Sequence, residues 1–405
     1  MRALFFLHVL LLHISLAIAE EITIISPHWE GVKKEIEQGF KSYLTSQGEE
    51  QVKITWLDVG GTSEIIKFLS TPSSKEMVDL VFGGGADAFI TLKNRGVLKK
   101  LDKRTFFTSD ILEQIAGIPL HDSDNYFFSP IFATFGIICN KDLLEKLRIP
   151  TPSRWSDLRS PYLHSWLGSA DPTRSGAMHV IYEVVLQGLG WNDGWETLLG
   201  LTKNLRSYSA SSIQIGKDVS AGEIACGLTL DSYASTLIEQ YGESRITFKI
   251  PDDLRVVSGD PVAILQGSKH FNSALKFVKF LFSQNAQFLF LLRKGSKEGP
   301  SSFNIGRMPV FGSTYDSSDK LTNEDPRLWK GAFSYNSQLS ASRWDLMNEL
   351  FRVFLINRHR RLASSQDFNL KAPLSESEFF DLKERYSKMN SIEKYKLFTD
   401  LQKYN

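Results

Sequence analysis

Short β-branched runs alternate along this chain with stretches of helical spacing, and glycine or small hydroxyl residues stand where the runs end. That rhythm constrains the fold more than any other feature. A strand that feeds a helix brings the chain back parallel to itself, so repetition builds a mostly parallel sheet covered on both faces. Glu21 to Ser26 (EITIIS) reads as the first strand, ended by Pro27-His28. Val32, Ile36, Phe40 and Leu44 then recur every four residues, one face of a helix. Val52, Ile54 and Trp56 alternate with polar residues as a second strand. Gly60-Gly61-Thr62-Ser63 turns into a helix carrying Ile65, Ile66 and Leu69. Val78 to Phe82 is a third strand, running into Gly83-Gly84-Gly85 and another helix.

A second unit of the same kind begins around Pro130. Phe132 to Cys139 is apolar and suits a strand crossing between lobes. Asp171 to Gly176 is a loop, followed by a helix marked by Met178, Ile181, Val185 and Leu189. Ala225 to Leu230 reads as a strand ending at Asp231. Ile246 to Ile250 and Val256-Val257 read as returning strands, and Phe271 to Leu292 as one long helix. Beyond Leu321 the chain is helical and amphipathic, with capping-box patterns at Ser342-x-x-Asp345 and Ser375-x-x-Glu378.

The first 19 residues predict export. Arg2 precedes an apolar run from Leu4 to Leu16, and Ala17-Ile18-Ala19 is a small-x-small cleavage site. The run is too short for a comfortable membrane span. A cleaved signal peptide and a periplasmic product follow as the expectation. In an oxidising compartment Cys139 and Cys226 either bridge or remain two buried thiols; both lie in apolar, strand-like stretches. The 47 Lys and Arg against 46 Asp and Glu leave no basic field to hold nucleic acid.

In an open α/β sheet, the loops leaving the carboxyl ends of strands face one crevice, where ligands bind. Ser175-Gly176-Ala177 is the most informative of these loops. Ser175 suits an N-cap, and the amides behind it stay free, with the helix dipole adding about half a positive charge. This is either an anion site or a plain cap. His28 follows a strand directly and either faces the cleft or is a simple turn histidine. His179 and Glu183, four apart, predict a hydrogen-bonded pair on one helix face rather than metal ligands. Trp191 and Trp195 predict a structural clamp. The chain holds no GxSxG, HExxH, CxxC or Walker loop, so no enzyme motif is legible.

Taken together, ISPHWEG, GGTSEI, VDLVFGGGAD, FGIICNKDLL, ADPTRSGAMH, AGEIACGLTLDSYA and GRMPV resemble the periplasmic solute-binding proteins of ABC importers, in the branch of ferric-ion and hexose-phosphate binders. The resemblance runs from about residue 21 to 311 and implies the type 2 periplasmic binding fold. That fold has two α/β lobes, each a mixed, mostly parallel sheet flanked by helices, joined by crossover strands. Lobe one would be discontinuous (20–131 and 256–320), lobe two would span 132–255, and the helical segment 321–405 would pack on lobe one. The resemblance further implies a monomer that closes on its ligand and docks on a membrane permease.

In the iron branch two consecutive tyrosines follow the late strand of lobe two. Here that place reads Asp231-Ser232-Tyr233, with no Tyr-Tyr pair anywhere. The Ser-Gly-Ala anion turn of the branch is matched by residues 175–177. An intact anion turn with a broken tyrosine pair points to a small anionic solute, phosphorylated and sugar-phosphate-like, captured without a cofactor. The residues expected to meet it are Ser175, Gly176, Ala177, His28, Thr62, Ser63, Gly84, Gly85, Ser211, Asp231 and Tyr233, although Ser211 and Ser212 equally suit a helix cap. For iron, His28, Asp231 and Tyr233 would be the ligands. A third reading is an exported phosphatase-like enzyme using the same cleft, and a fourth is a sensor subunit.

Overall fold

The computed structural model of the chain describes residues 20–322, 324–367 and 370–403. The expected leader, residues 1–19, lies outside them. A single sheet path runs through both lobes: Val52–Leu57, Glu20–Ile25, Leu80–Phe82, Val257–Ile264, Phe128–Asn140, Cys226–Leu230, Leu167–Ala170, Leu205–Ser209. The first three strands are mutually parallel, as are the last three. The two central strands run antiparallel to their neighbours and carry the chain between the lobes. Phe128–Asn140 changes partner along its length. Thr134 still faces Val257, whereas Phe135 already faces Leu230. The hand-over from one lobe to the other therefore falls between residues 134 and 135.

Strand alternation explains the cores. Ile22 and Ile24 face one apolar cluster of lobe one and Ile25 faces the other, so both sides of the sheet are buried. The helix Glu30–Ser46 turns Val32, Ile36, Phe40 and Leu44 inward, as its spacing predicts. In lobe two Ile137 and Cys139 lie on one side of the crossover strand and Ile138 on the other. Cys139 and Cys226 are directly opposed on neighbouring strands and form a disulfide. Of the two fates open to these thiols, the structure shows the bridge.

Three expectations about these elements need correction. The stretch 271–292 is two helices, Phe271–Leu281 and Gln284–Leu291, because Ser283 caps the second through the Ala286 amide. Ser342 lies inside the helix Ser337–Phe351, which Asn336 caps instead. The Ser375–Glu378 capping box is formed. The carboxy-terminal helices do not pack chiefly on lobe one. Leu346, Met347, Leu350, Phe351, Phe354 and Phe379 join the core of lobe two, around Tyr182 and Trp195, while Trp344 reaches the core of lobe one. The reason lies in the helix Gly176–Leu189, which buries apolar residues all round and needs cover on its outer side.

The same cover separates His179 from Glu183. Glu183 is fully buried against Arg343, and His179 Nδ1 meets Asn348 Oδ1 at 2.9 Å. The predicted pair is thus two separate links to the tail. Burial pulls the His179 ring down to about 4, against the opposing pull of Glu183. Trp191 and Trp195 pack edge to face and are covered by Phe379 and Phe351, the clamp the sequence implied. Among the described residues no helix is long and apolar enough to cross a membrane.

Candidate functional site

The loops at the carboxyl ends of the strands meet in a cavity of about 480 Å³ between the lobes. Lobe one contributes Ser26 to Glu30, Gly60 to Thr62, Gly84, Gly85, Ser258 to Asp260 and Arg307; lobe two contributes Arg174 to Ala177, Ala210 to Ile213, Leu230 and Tyr233. Five of the helices that begin at this wall are Glu30–Ser46, Thr62–Leu69, Ala86–Asn94, Gly176–Leu189 and Ser212–Ala221. Their N-caps Trp29, Gly61, Gly85 and Ser211 make no side-chain capping bond. Ser175 alone caps, accepting from the Met178 amide at 3.4 Å. The first amides of each helix have no intrahelical acceptor, and five dipoles point their positive ends at one space. Residues 175–177 form part of this wall, and Ser175 caps its helix there.

Local chemistry sets each loop. Asp171 folds the turn before the lobe-two helix by accepting from the Thr173 amide at 2.8 Å and its hydroxyl at 2.7 Å. Gly83, Gly84 and Gly85 hold φ of 89°, 111° and 85°, a left-handed run that side chains resist. That run lets the Gly84 amide donate to Asp260 Oδ1 at 3.0 Å.

His28 lines the cavity, but both ring nitrogens are engaged. Nδ1 lies 2.9 Å from Ser26 Oγ and Nε2 2.9 Å from Asp260 Oδ2. Burial pushes the Asp260 carboxyl up; the neighbouring His28 and Arg307 outweigh this and hold it at about 2. Arg307 is 6% exposed. Its guanidinium stands 3.9 Å from Asp260 Oδ2 and 5.8 Å above the Tyr233 ring.

Of the expected residues, His28, Thr62, Gly84, Gly85, Ser175, Gly176, Ala177, Ser211 and Tyr233 lie in the wall. Ser63 does not: its hydroxyl accepts from Asn348 Nδ2 at 3.3 Å. Asp231 does not either. It is buried and accepts from the Ser232 amide at 2.8 Å; burial drives its carboxyl up to about 7 despite the pull of Arg307. The iron set is therefore not assembled, since His28 is spent on Asp260, Asp231 is outside the wall and Tyr233 backs Arg307. Among the described residues no group of three His, Cys, Asp or Glu is placed to hold a metal ion.

Sequence reading missed Asp260 and Arg307. Each left a trace, as a lone charge in an apolar run: Asp260 within VSGDPVAI and Arg307 ahead of MPVF.

The lobes touch beside the cavity. Arg174 Nε is 3.3 Å from Glu64 Oε1 across the gap. A Cβ on Gly61 would stand 2.2 Å from the Arg174 carbonyl oxygen, and one on Gly176 would stand 2.4 Å from Thr62 Oγ1. This is a closed cleft.

Residues 75–295 match the sequence profile of the bacterial extracellular solute-binding proteins. The chain belongs to this family. Its curated relatives include the phosphoglycerate transport regulatory protein PgtC of Salmonella typhimurium, 26% identical over 248 residues. That match covers 60% of this chain and 58% of the relative, so the chain spans well under two thirds of that protein's length. Among solved structures, AfuA of Actinobacillus pleuropneumoniae with fructose-6-phosphate bound superposes with a TM-score of 0.68 at 18% identity, covering 84% of this solute-binding protein and 99% of AfuA. The periplasmic binding protein P5PA gives 0.67 at 18% identity, covering 83% and 99%. The apo ferric ion-binding protein A of Pasteurella haemolytica gives 0.64 at 14%, covering 86% and 100%. At these identities the likeness establishes the two-lobed fold.

Proposed function

We propose that this solute-binding protein captures a small phosphorylated anion between its lobes outside the cytoplasmic membrane and delivers it to an ABC permease. The observation that carries the reading is the convergence of five helix N-termini and the Arg307 guanidinium on one cavity. Such a wall favours negative charge by dipole, by free amides and by a fixed cation. The cavity volume suits a small metabolite. The bound fructose-6-phosphate of AfuA and the name of the phosphoglycerate relative point the same way.

Capture requires no bond to break and no cofactor. The solute touches both lobes only when they meet, and it shifts the open–closed balance by that difference in affinity. The closed form then offers the permease a distinct surface.

A thermal-shift screen of the mature chain tests the reading. Fructose 6-phosphate or 3-phosphoglycerate should raise the melting temperature, and Ser175→Ala should shrink the rise. Stabilisation by ferric citrate alone would replace this reading with iron uptake. Turnover of a chromogenic phosphate ester would replace it with an exported enzyme.

The relative's description as a transport regulator favours one second reading, in which the closed cleft signals solute to a membrane receptor. Co-purification with a receptor rather than with permease and ATPase subunits separates the two.

A further inference from the structure

Arg307 brings more to the cleft than positive charge. Its surroundings say more. Arg307 is buried and carries five N–H donors. Among the described residues its guanidinium donates no hydrogen bond. The Asp260 oxygen at 3.9 Å is beyond bonding distance, and both Asp260 oxygens are already held, one by the Gly84 amide at 3.0 Å and one by His28 at 2.9 Å. The Tyr233 ring closes one face, and the Arg307 backbone is pinned by its amide to the Phe290 carbonyl at 3.0 Å. A buried cation with unmade hydrogen bonds is costly to keep, unless the open side is completed by something else. The open side is the cleft.

Arg307 belongs to lobe one, next to Met308–Pro309, which pairs with the crossover strand at Phe132 and Ile131. The free amides of Gly176 and Ala177 belong to lobe two. The cleft thus offers two anion-binding places of different geometry on opposite lobes. A ring of amides at a helix start suits a tetrahedral phosphate. A flat guanidinium fork suits a planar carboxylate, gripped by two parallel bonds.

Resting on the phosphorylated-solute reading, we propose that the solute is a short phosphorylated carboxylic acid. Its phosphate sits at Gly176 and Ala177, and its carboxylate takes the fork of Arg307. With an acidic group at each end the solute ties the lobes together, which a phosphate alone does not.

Isothermal titration calorimetry on the full mature chain tests this with 3-phosphoglycerate, glycerol 3-phosphate and glycerate. The wild type should bind 3-phosphoglycerate about 30-fold or more tightly than glycerol 3-phosphate, the scale of a lost buried charge pair. Arg307→Gln should abolish that preference, so that 3-phosphoglycerate and glycerol 3-phosphate bind within about threefold of each other. Equal wild-type binding of the two phosphates overturns the inference, and needs no variant to read. So does an Arg307→Gln protein that loses both ligands equally, which would place the phosphate on Arg307. Binding of glycerate with no gain from its phosphate would instead sink the phosphorylated-solute reading itself.

Discussion

Closure of the lobes is tested most cleanly at Gly61. Its φ of −79° and ψ of −175° are open to any residue, so Gly61→Ala leaves lobe one's backbone unstrained. Within lobe one the added Cβ crowds just the flexible end of Glu64, whose Oε2 would stand 3.3 Å away; its hard contacts lie across the gap. It would stand 2.2 Å from the Arg174 carbonyl oxygen and 3.0 Å from its carbon, where 3.4 Å is ordinary contact. Both are backbone atoms held by the Asp171 turn, since the Arg174 and Ser175 amides donate to the Asp171 carbonyl. The lobes must part by about 1 Å at this point, an overpacking strain of about 1–3 kcal/mol that falls on the closed form alone. Because the solute bridges the lobes only when they are closed, apparent affinity should fall about 5- to 150-fold. Calorimetry with the stabilising phosphorylated solute reads the loss, and small-angle scattering should show incomplete compaction on ligand addition. Far-UV circular dichroism should match the wild type. Wild-type affinity together with wild-type compaction in Gly61→Ala would refute the claim that Gly61 and Arg174 meet in the liganded state.

Other perturbations probe the frame around the cleft. Reducing the Cys139–Cys226 disulfide, which spans 87 residues of sequence, should cost up to about 4.5 kcal/mol and lower the calorimetric melting temperature; an unchanged transition in reductant would contradict the bridge's role. Arg343→Met leaves Glu183 buried without its cation and should destabilise by about 3–5 kcal/mol in denaturant titration, whereas Glu183→Gln with Arg343→Met should recover much of the loss. Asp87 is fully buried, with hydroxyls of Tyr335 and Ser340 as partners, and burial raises its carboxyl to about 7. A carboxyl raised on folding favours the native state below its unfolded pKa of about 4 and loses that contribution as pH rises through about 7. Asp87→Asn should therefore gain stability relative to wild type between pH 5 and 8. A pH-independent difference would show that Asp87 does not titrate there.

Much of the architecture was legible because it rests on local periodicity. The fourfold recurrence of Val32, Ile36, Phe40 and Leu44 and the apolar run into Gly83 commit those segments before any tertiary contact forms. The turn at residues 175–177 was legible for the same reason, since a capping serine before small residues is a local signal. What escaped depends on distant partners. His179 and Glu183 share a helix face, but Asn348 and Arg343 from the tail take them separately. Asp260 and Arg307 read as stray charges because His28, Gly84 and Tyr233 give them meaning only once the crossover strand returns. Asp231 misled because a carboxylate at a strand end usually faces the crevice, whereas here it turns back onto its own helix start.

Solute capture turns on a negatively charged guest meeting the amides that open the lobe-two helix. Amide NMR spectra of the ¹⁵N-labelled mature chain, titrated with 3-phosphoglycerate and with fructose 6-phosphate, test it directly. The Gly176 and Ala177 resonances should move furthest and saturate with the binding isotherm. Tight binding that leaves both resonances in place would contradict the account.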